Sequence, residues 1–216
     1  MPGIDKNGRS VVVIILAATC FCAFLLFFFR REQNDRNRVA CQDNLRKIGQ
    51  AIGMYVADND GNLPTRAVWE ERAIPSLPES GCPAAEPIPR LDPPLRDAGR
   101  GLLGYAFNPM LADVYRDKND LPVVTALAYA SMPHPYTTIA VFDYTSGIPS
   151  TSMLDIFGEE SGGWPKQLAQ GWKRHGNGGN YLFCDGHVAW FREPEILLTD
   201  LDTCVGDKTK PNFCVK

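Results

Sequence analysis

Val11 to Phe29 (VVVIILAATCFCAFLLFFF) is a run of nineteen residues without a charge, closed by Arg30-Arg31. At about 1.5 Å rise per residue, a helix of this length spans roughly 28 Å, close to the hydrocarbon thickness of a bilayer. A cleavable secretory signal has a shorter apolar core and ends at a small-residue cleavage site. Here Arg-Arg follows directly, and the apolar run continues past Ala17-Ala18-Thr19-Cys20, the one lipoprotein-like stretch. Residues 11–29 are therefore read as a retained single-pass membrane anchor, with residues 1–10 as a short polar tail.

The helix can continue out of the membrane. Glu32 to Val39 is charged and free of helix breakers, and Leu45, Ile48, Ile52 and Tyr55 then follow at steps of three and four. That spacing predicts an apolar stripe on an otherwise polar helix over residues 30–60. Asp58-Asn59-Asp60-Gly61, with Pro64 beyond, is stop chemistry. DNDG also matches part of a calcium loop, but that frame puts Val56 and Ala67 at its first and last positions, where neither can coordinate.

Near the other end, Asn180–Cys184 and His187–Phe191 are aromatic and β-branched runs separated by Asp185-Gly186. Asp-Gly predicts a two-residue hairpin turn with φ > 0 at both positions. That register sets Phe183 opposite Val188 and Tyr181 opposite Trp190. Tyr181, Phe183, Val188 and Trp190 then share a face suited to the amphipathic half of the helix.

Between these landmarks the chain is loop-rich. Pro75 to Pro94 is proline-dense, and Gly101–Leu111, Val123–Tyr129 and Thr137–Asp143 read as strands or turns. Few helical patterns follow residue 61, so the fold class is α+β, one long helix packed on an antiparallel sheet. A net charge of −3 gives no footprint for nucleic acid.

His175, nine intervening residues and Asp185-Gly186 form an H-x9-DG signature. Cys41-Gln42-Asp43-Asn44-Leu45-Arg46-Lys47-Ile48-Gly49, followed by Met54-Tyr55 and Asp58-Asn59-Asp60-Gly61, agrees with it, as do Cys82-Pro83, Gly104-Tyr105-Ala106-Phe107-Asn108 and Ile139–Asp143. As an ordered set from about Val39 to Phe191, these segments resemble the prepilin-type processing-associated H-x9-DG proteins. The resemblance implies a pilin-like fold, a bacterial inner-membrane location with the C-terminal domain outside the cytoplasm, and self-assembly or packing with other pilin-like subunits. Prepilins usually carry a basic residue and glycine before a phenylalanine-led helix with an early glutamate. Here Lys6-Asn7-Gly8 precedes Arg9-Ser10-Val11, and Val13 stands at the glutamate position.

Five cysteines lie outside the anchor. Cys204 and Cys214 bracket a polar C-terminal loop (residues 204–216) that a disulfide would close, after a globular region spanning residues 61–203. Cys41 and Cys82 are candidate partners that would staple the proline-rich loop to the helix. Cys184, where the family usually has a small residue, reads as a buried free thiol. Disulfides imply an oxidising compartment outside the cytoplasm. Arg30, Arg31, Arg36 and Arg38 outnumber Lys6 and Arg9 and argue the opposite orientation by the positive-inside rule; the cysteines are followed.

His175, Asp185 and His187 are the one cluster with the look of a metal or acid–base site. Metal sites need three or four convergent ligands, and no fourth is evident. The structural reading is preferred: Asp185 makes the turn and His175 hydrogen-bonds to it. Glu159 and Glu160 read as a solvated edge. No nucleophile elbow, zinc-protease helix or phosphate loop is present, so no enzyme and no cofactor are expected. The sequence points to a pilin-like filament subunit, with a membrane-tethered binding module as the alternative.

Overall fold

The computed structural model describes residues 6–65, 68, 81–84, 104–116, 122–143, 174–192 and 209–213. The chain divides into two units, Met1–Arg36 and Asn37–Lys216. One helix, α1, runs Lys6–Asp58, so it begins inside the segment expected to be a polar tail.

In the first unit every residue from Val11 to Arg36 is exposed. The apolar side chains that have no protein to cover them include Ile14, Phe21, Phe27 and Phe29. This stretch is long and apolar enough to cross a membrane. Within residues 11–29 the one hydroxyl, on Thr19, donates back to the Leu16 carbonyl at 2.9 Å, so it does not interrupt the apolar surface.

In the second unit α1 turns amphipathic. Cys41, Leu45 and Ile48 are fully buried, and Ile52 and Val56 pack partly against the same core. Burial of Leu45 and Ile48 stabilises the docked helix by roughly 1.5–3 kcal/mol each. The stripe therefore drifts to Val56 where Tyr55 was expected; Tyr55 is half-buried. The helix stops as its sequence dictates. Asp60 and Gly61 take positive φ (53° and 78°), and the Gly61 N–H caps the Val56 carbonyl at 3.0 Å, the six-to-one bond of a Schellman end.

The sheet has four antiparallel strands in the order β1-β4-β5-β6. They are β1 Tyr105–Phe107, β4 Ile139–Asp143, β5 Gly178–Phe183 and β6 Val188–Arg192. Strands β2 (Ala112–Arg116) and β3 (Pro122–Ala126) form a separate antiparallel pair. The α+β expectation is met.

Registers sort the sheet's two faces. Phe107, Val141, Leu182 and Val188 stand opposite one another in a row across all four strands. Phe107, Val141 and Leu182 belong to the core that holds Cys41, Leu45 and Ile48, and Val188 packs against it. The neighbouring row, Ala106, Phe142, Tyr181 and Ala189, falls on the opposite face, where Phe142 meets Phe213 edge-on with centroids 5.2 Å apart. Asn108 holds the bulge between Ile139 and Val141: its buried side-chain amide donates to the Ile139 and Phe213 carbonyls at 2.7 and 3.0 Å.

The hairpin departs from expectation by one residue. Leu182 pairs with Val188 and Tyr181 with Ala189, and Phe183 closes the hairpin, its carbonyl accepting from the Gly186 N–H and its own N–H donating to the His187 carbonyl, both at 2.9 Å. The loop is thus three residues, Cys184-Asp185-Gly186, with positive φ only at Gly186 (91°). A one-residue slip reverses faces. Leu182, Val188 and Trp190 look toward the helix, while Tyr181 and Phe183 sit on the far side with Phe191, centroids 6.3 and 6.0 Å away.

Candidate functional site

Three strand ends and a turn converge on a buried polar cluster beside the helix. β1 and β4 set Tyr105 opposite Asp143, and β5 and β6 set Asn180 opposite Trp190. Asn180 donates its backbone N–H to Asp143 Oδ2 at 2.7 Å, which joins the two pairs into one row. All but Trp190 are buried, as is His175.

His175 opens the turn into β5. Gly176 and Asn177 both take positive φ (67° and 66°), and the His175 N–H donates to the Gly178 carbonyl at 3.2 Å. The double left-handed turn chemistry expected at Asp185-Gly186 is found here. The indole of Trp190 packs against Gly178, so close that a Cβ there would be 2.2 Å from its ring carbons. Its Nε1–H donates to the His175 carbonyl at 3.0 Å. Arg38 of α1 and Arg192 of β6 both hold guanidinium groups within 6 Å of the same ring (5.7 and 5.9 Å), a cation–π arrangement.

So fixed, His175 points its Nε2 at Asp143 Oδ2, 3.3 Å away. Burial raises the Asp143 carboxyl to about 7, with Arg174 and the Asn180 hydrogen bond pulling the other way. Burial, then Arg174 and Arg38, lowers His175 to about 4. Burial thus favours the uncharged form of both groups, the neutral imidazole and the protonated carboxyl. Among the described residues, Asp143 Oδ1, His175 Nδ1 and both polar atoms of the Asn180 side chain have no hydrogen-bond partner.

The cluster abuts a disulfide. Cys41 and Cys82 are bonded, with Cα atoms 5.0 Å apart, and Cys82 Sγ is 3.6 Å from His175 Nε2. Asn44, one turn along α1, donates to the Gly81 carbonyl at 2.8 Å, and the Tyr105 hydroxyl reaches the Cys41 carbonyl at 3.3 Å. Helix, loop and sheet are tied together at this point.

The expected trio of His175, Asp185 and His187 is not brought together. Asp185 pairs instead with its neighbour across the turn, its Oδ1 2.6 Å from His187 Nδ1, on a partly exposed surface. His187 stacks on Phe183 with centroids 4.2 Å apart. His175 pairs with Asp143, not with Asp185. The physical reason is the sheet: His175 precedes β5 at its far end from the Asp185 turn, and six strand residues separate them. Gly186 serves the turn. Cys184 is free and half-buried, with burial raising its thiol pKa. Cys204, Cys214, Glu159 and Glu160 lie outside the described residues.

The residues of the cluster missed from sequence are Asp143, Asn180 and Asn44. Asp143 did carry a signal, as an acid closing an otherwise apolar strand, IAVFD. Compared with known proteins, the chain matches no family model, no curated protein and no solved structure.

Proposed function

We propose that this chain is a membrane-anchored, pilin-like structural subunit of the prepilin-type H-x9-DG kind, packing through its apolar helix into an envelope or secretion-associated filament. The observation that carries the reading is α1: one uninterrupted helix with an exposed, uncharged apolar half and a half that docks on a sheet. An apolar surface of that size needs a cover, and lipid or the same half of sister copies supplies it.

The H-x9-DG residues act structurally in this reading. His175 locks the sheet to the Cys41–Cys82 staple, and Asp185-Gly186 shapes the next turn. In this reading the cluster braces the fold, and no catalytic role is assigned to it. The disulfide supports an oxidising compartment, with the second unit outside the cytoplasm and the anchor in the bacterial inner membrane.

Val13, in place of an early glutamate, favours a second reading, an uncleaved tether that presents the same domain as a binding module. The intact mass of the protein from native membranes separates them. A mass short by the residues up to Gly8 supports a processed filament subunit. A full-length mass supports the tether.

A further inference from the structure

Cys41 Sγ, Cys82 Sγ and a ring nitrogen of His175 lie within 4.8 Å of one another, and all three residues are buried. Cys82 Sγ is 3.6 Å from His175 Nε2, and Asp143 Oδ2 is 3.3 Å from the same nitrogen. The Cys82–His175 and His175–Asp143 separations fall at the edge lengths of a tetrahedral ion, while the two sulfurs, bonded to one another in the disulfide, part on reduction. With about 2.3 Å to sulfur and about 2.0–2.1 Å to nitrogen and oxygen, the sulfur–nitrogen edge is about 3.6 Å and the nitrogen–oxygen edge about 3.3–3.4 Å.

We propose that reduction of the Cys41–Cys82 disulfide turns this cluster into a binding site for a zinc-class divalent cation, held by Cys41, Cys82 and His175 with Asp143 as the adjoining oxygen donor. Asp143 Oδ1 and His175 Nδ1, buried without a hydrogen-bond partner among the described residues, are a second sign that the interior here is built for more than packing, since buried polar groups are ordinarily paired. In the reduction, a dithiol gives two electrons and two protons to the disulfide, leaving two protein thiols and its own cyclic disulfide. The cation then displaces one proton from each thiol, and neutral His175 supplies a lone pair. Two thiolates balance the cation's charge inside the protein, which an unpaired buried ion could not tolerate.

The two states exclude each other, because the sulfurs bond either to one another or to the metal. Both keep the segment around Cys82 tied to α1. The site therefore reads the redox state of its compartment without releasing that tie, and the inference stands whether or not the chain forms filaments.

The test uses the full chain in detergent, reduced anaerobically with a water-soluble phosphine, which leaves as its oxide, and then titrated with Co²⁺. The expected result is one Co²⁺ per chain, with thiolate-to-cobalt charge transfer and tetrahedral d–d bands, displaced by Zn²⁺. Oxidised protein keeps every side chain with its sulfurs tied up, and takes up none. Cys204→Ser/Cys214→Ser retains the spectrum; Cys41→Ser/Cys82→Ser abolishes it, and His175→Ala shifts or abolishes it. Reduced protein without a thiolate–cobalt band overturns the proposal. So does a band that survives loss of Cys41 and Cys82, or equal uptake by oxidised protein.

Discussion

His175 Nε2 lies 3.3 Å from Asp143 Oδ2, with both side chains sealed from solvent at the junction of helix, loop and sheet. The imidazole comes from the turn into β5 and the carboxylate from the last residue of β4, so the pair also closes the sheet's register at this end. Its electrostatics give the fold a distinctive response to pH.

Burial moves the two groups in opposite senses, Asp143 up from 3.8 to about 7 and His175 down from 6.5 to about 4. Between those limits native Asp143 keeps a proton that the unfolded chain has released, so this group alone makes stability fall as pH rises. Native His175 lacks a proton that the unfolded chain holds up to about pH 6.5, so its contribution rises with pH over the same window. The pair's contribution is therefore nearly flat from about pH 4.5 to 6.5, and removal of either partner unmasks the other. Relative to wild type, Asp143→Asn adds a rising slope and His175→Gln a falling one, each approaching about 1.4 kcal/mol per pH unit. Denaturant unfolding across the window checks the signs, and parallel curves for all three proteins would contradict the assignment.

Gly178 is the position where the indole of Trp190 needs bare backbone. A Cβ there would meet ring carbons at 2.2 Å, and the ring is held by its bond to His175 and by two guanidinium groups. Gly178→Ala is expected to cost about 2–3 kcal/mol by overpacking, and part of that loss returns in Gly178→Ala/Trp190→Ala. Thermal unfolding of the two variants against Trp190→Ala alone measures the coupling. Additive losses would mean the ring simply swings away.

The Cys41–Cys82 bond joins positions 41 residues apart. Opening a loop of that length costs about 3–4 kcal/mol by the chain-entropy account. Cys41→Ser/Cys82→Ser should show this as a lowered denaturation midpoint that reductant no longer affects, whereas wild type falls to a similar value on reduction. A reductant-insensitive wild type would contradict a stabilising role for the staple.

At the β5–β6 turn the strain-relieving residue is Gly186, φ 91°. Gly186→Ala is expected to cost about 1–2 kcal/mol, more than Asp185→Ala, which loses the bond to the His187 N–H and costs about 1 kcal/mol. Equilibrium unfolding gives the order directly. The reverse order would return the turn to Asp185.

Much of this architecture is legible in the sequence because each signal is local. The uncharged run before Arg30, the three-four spacing from Leu45 to Ile52, and the Asp60-Gly61 stop are all readable without knowing the fold. The hairpin is readable too, but not its register. Every residue of β5 is buried, so Leu182 offers the core as good a face as Tyr181 and Phe183, and only the turn decides between them. One positive φ at Gly186 instead of two moves the whole pairing. The partner of His175 is hidden for a different reason. Asp143 lies 32 positions away and reaches it only across a sheet whose strand order the sequence does not spell out.

The proposed filament requires apolar helices that pack against one another in the membrane, and native Cys20 and Cys22 test this without added probes. Both are exposed and free, and at about 100° per residue they point to nearly opposite sides of the helix. Native membranes treated with a short, membrane-permeant bis-maleimide should yield a ladder of dimers, trimers and larger species that disappears in Cys20→Ser/Cys22→Ser. Monomers alone, with both thiols fully modified, would contradict a filament subunit and leave a solitary membrane tether.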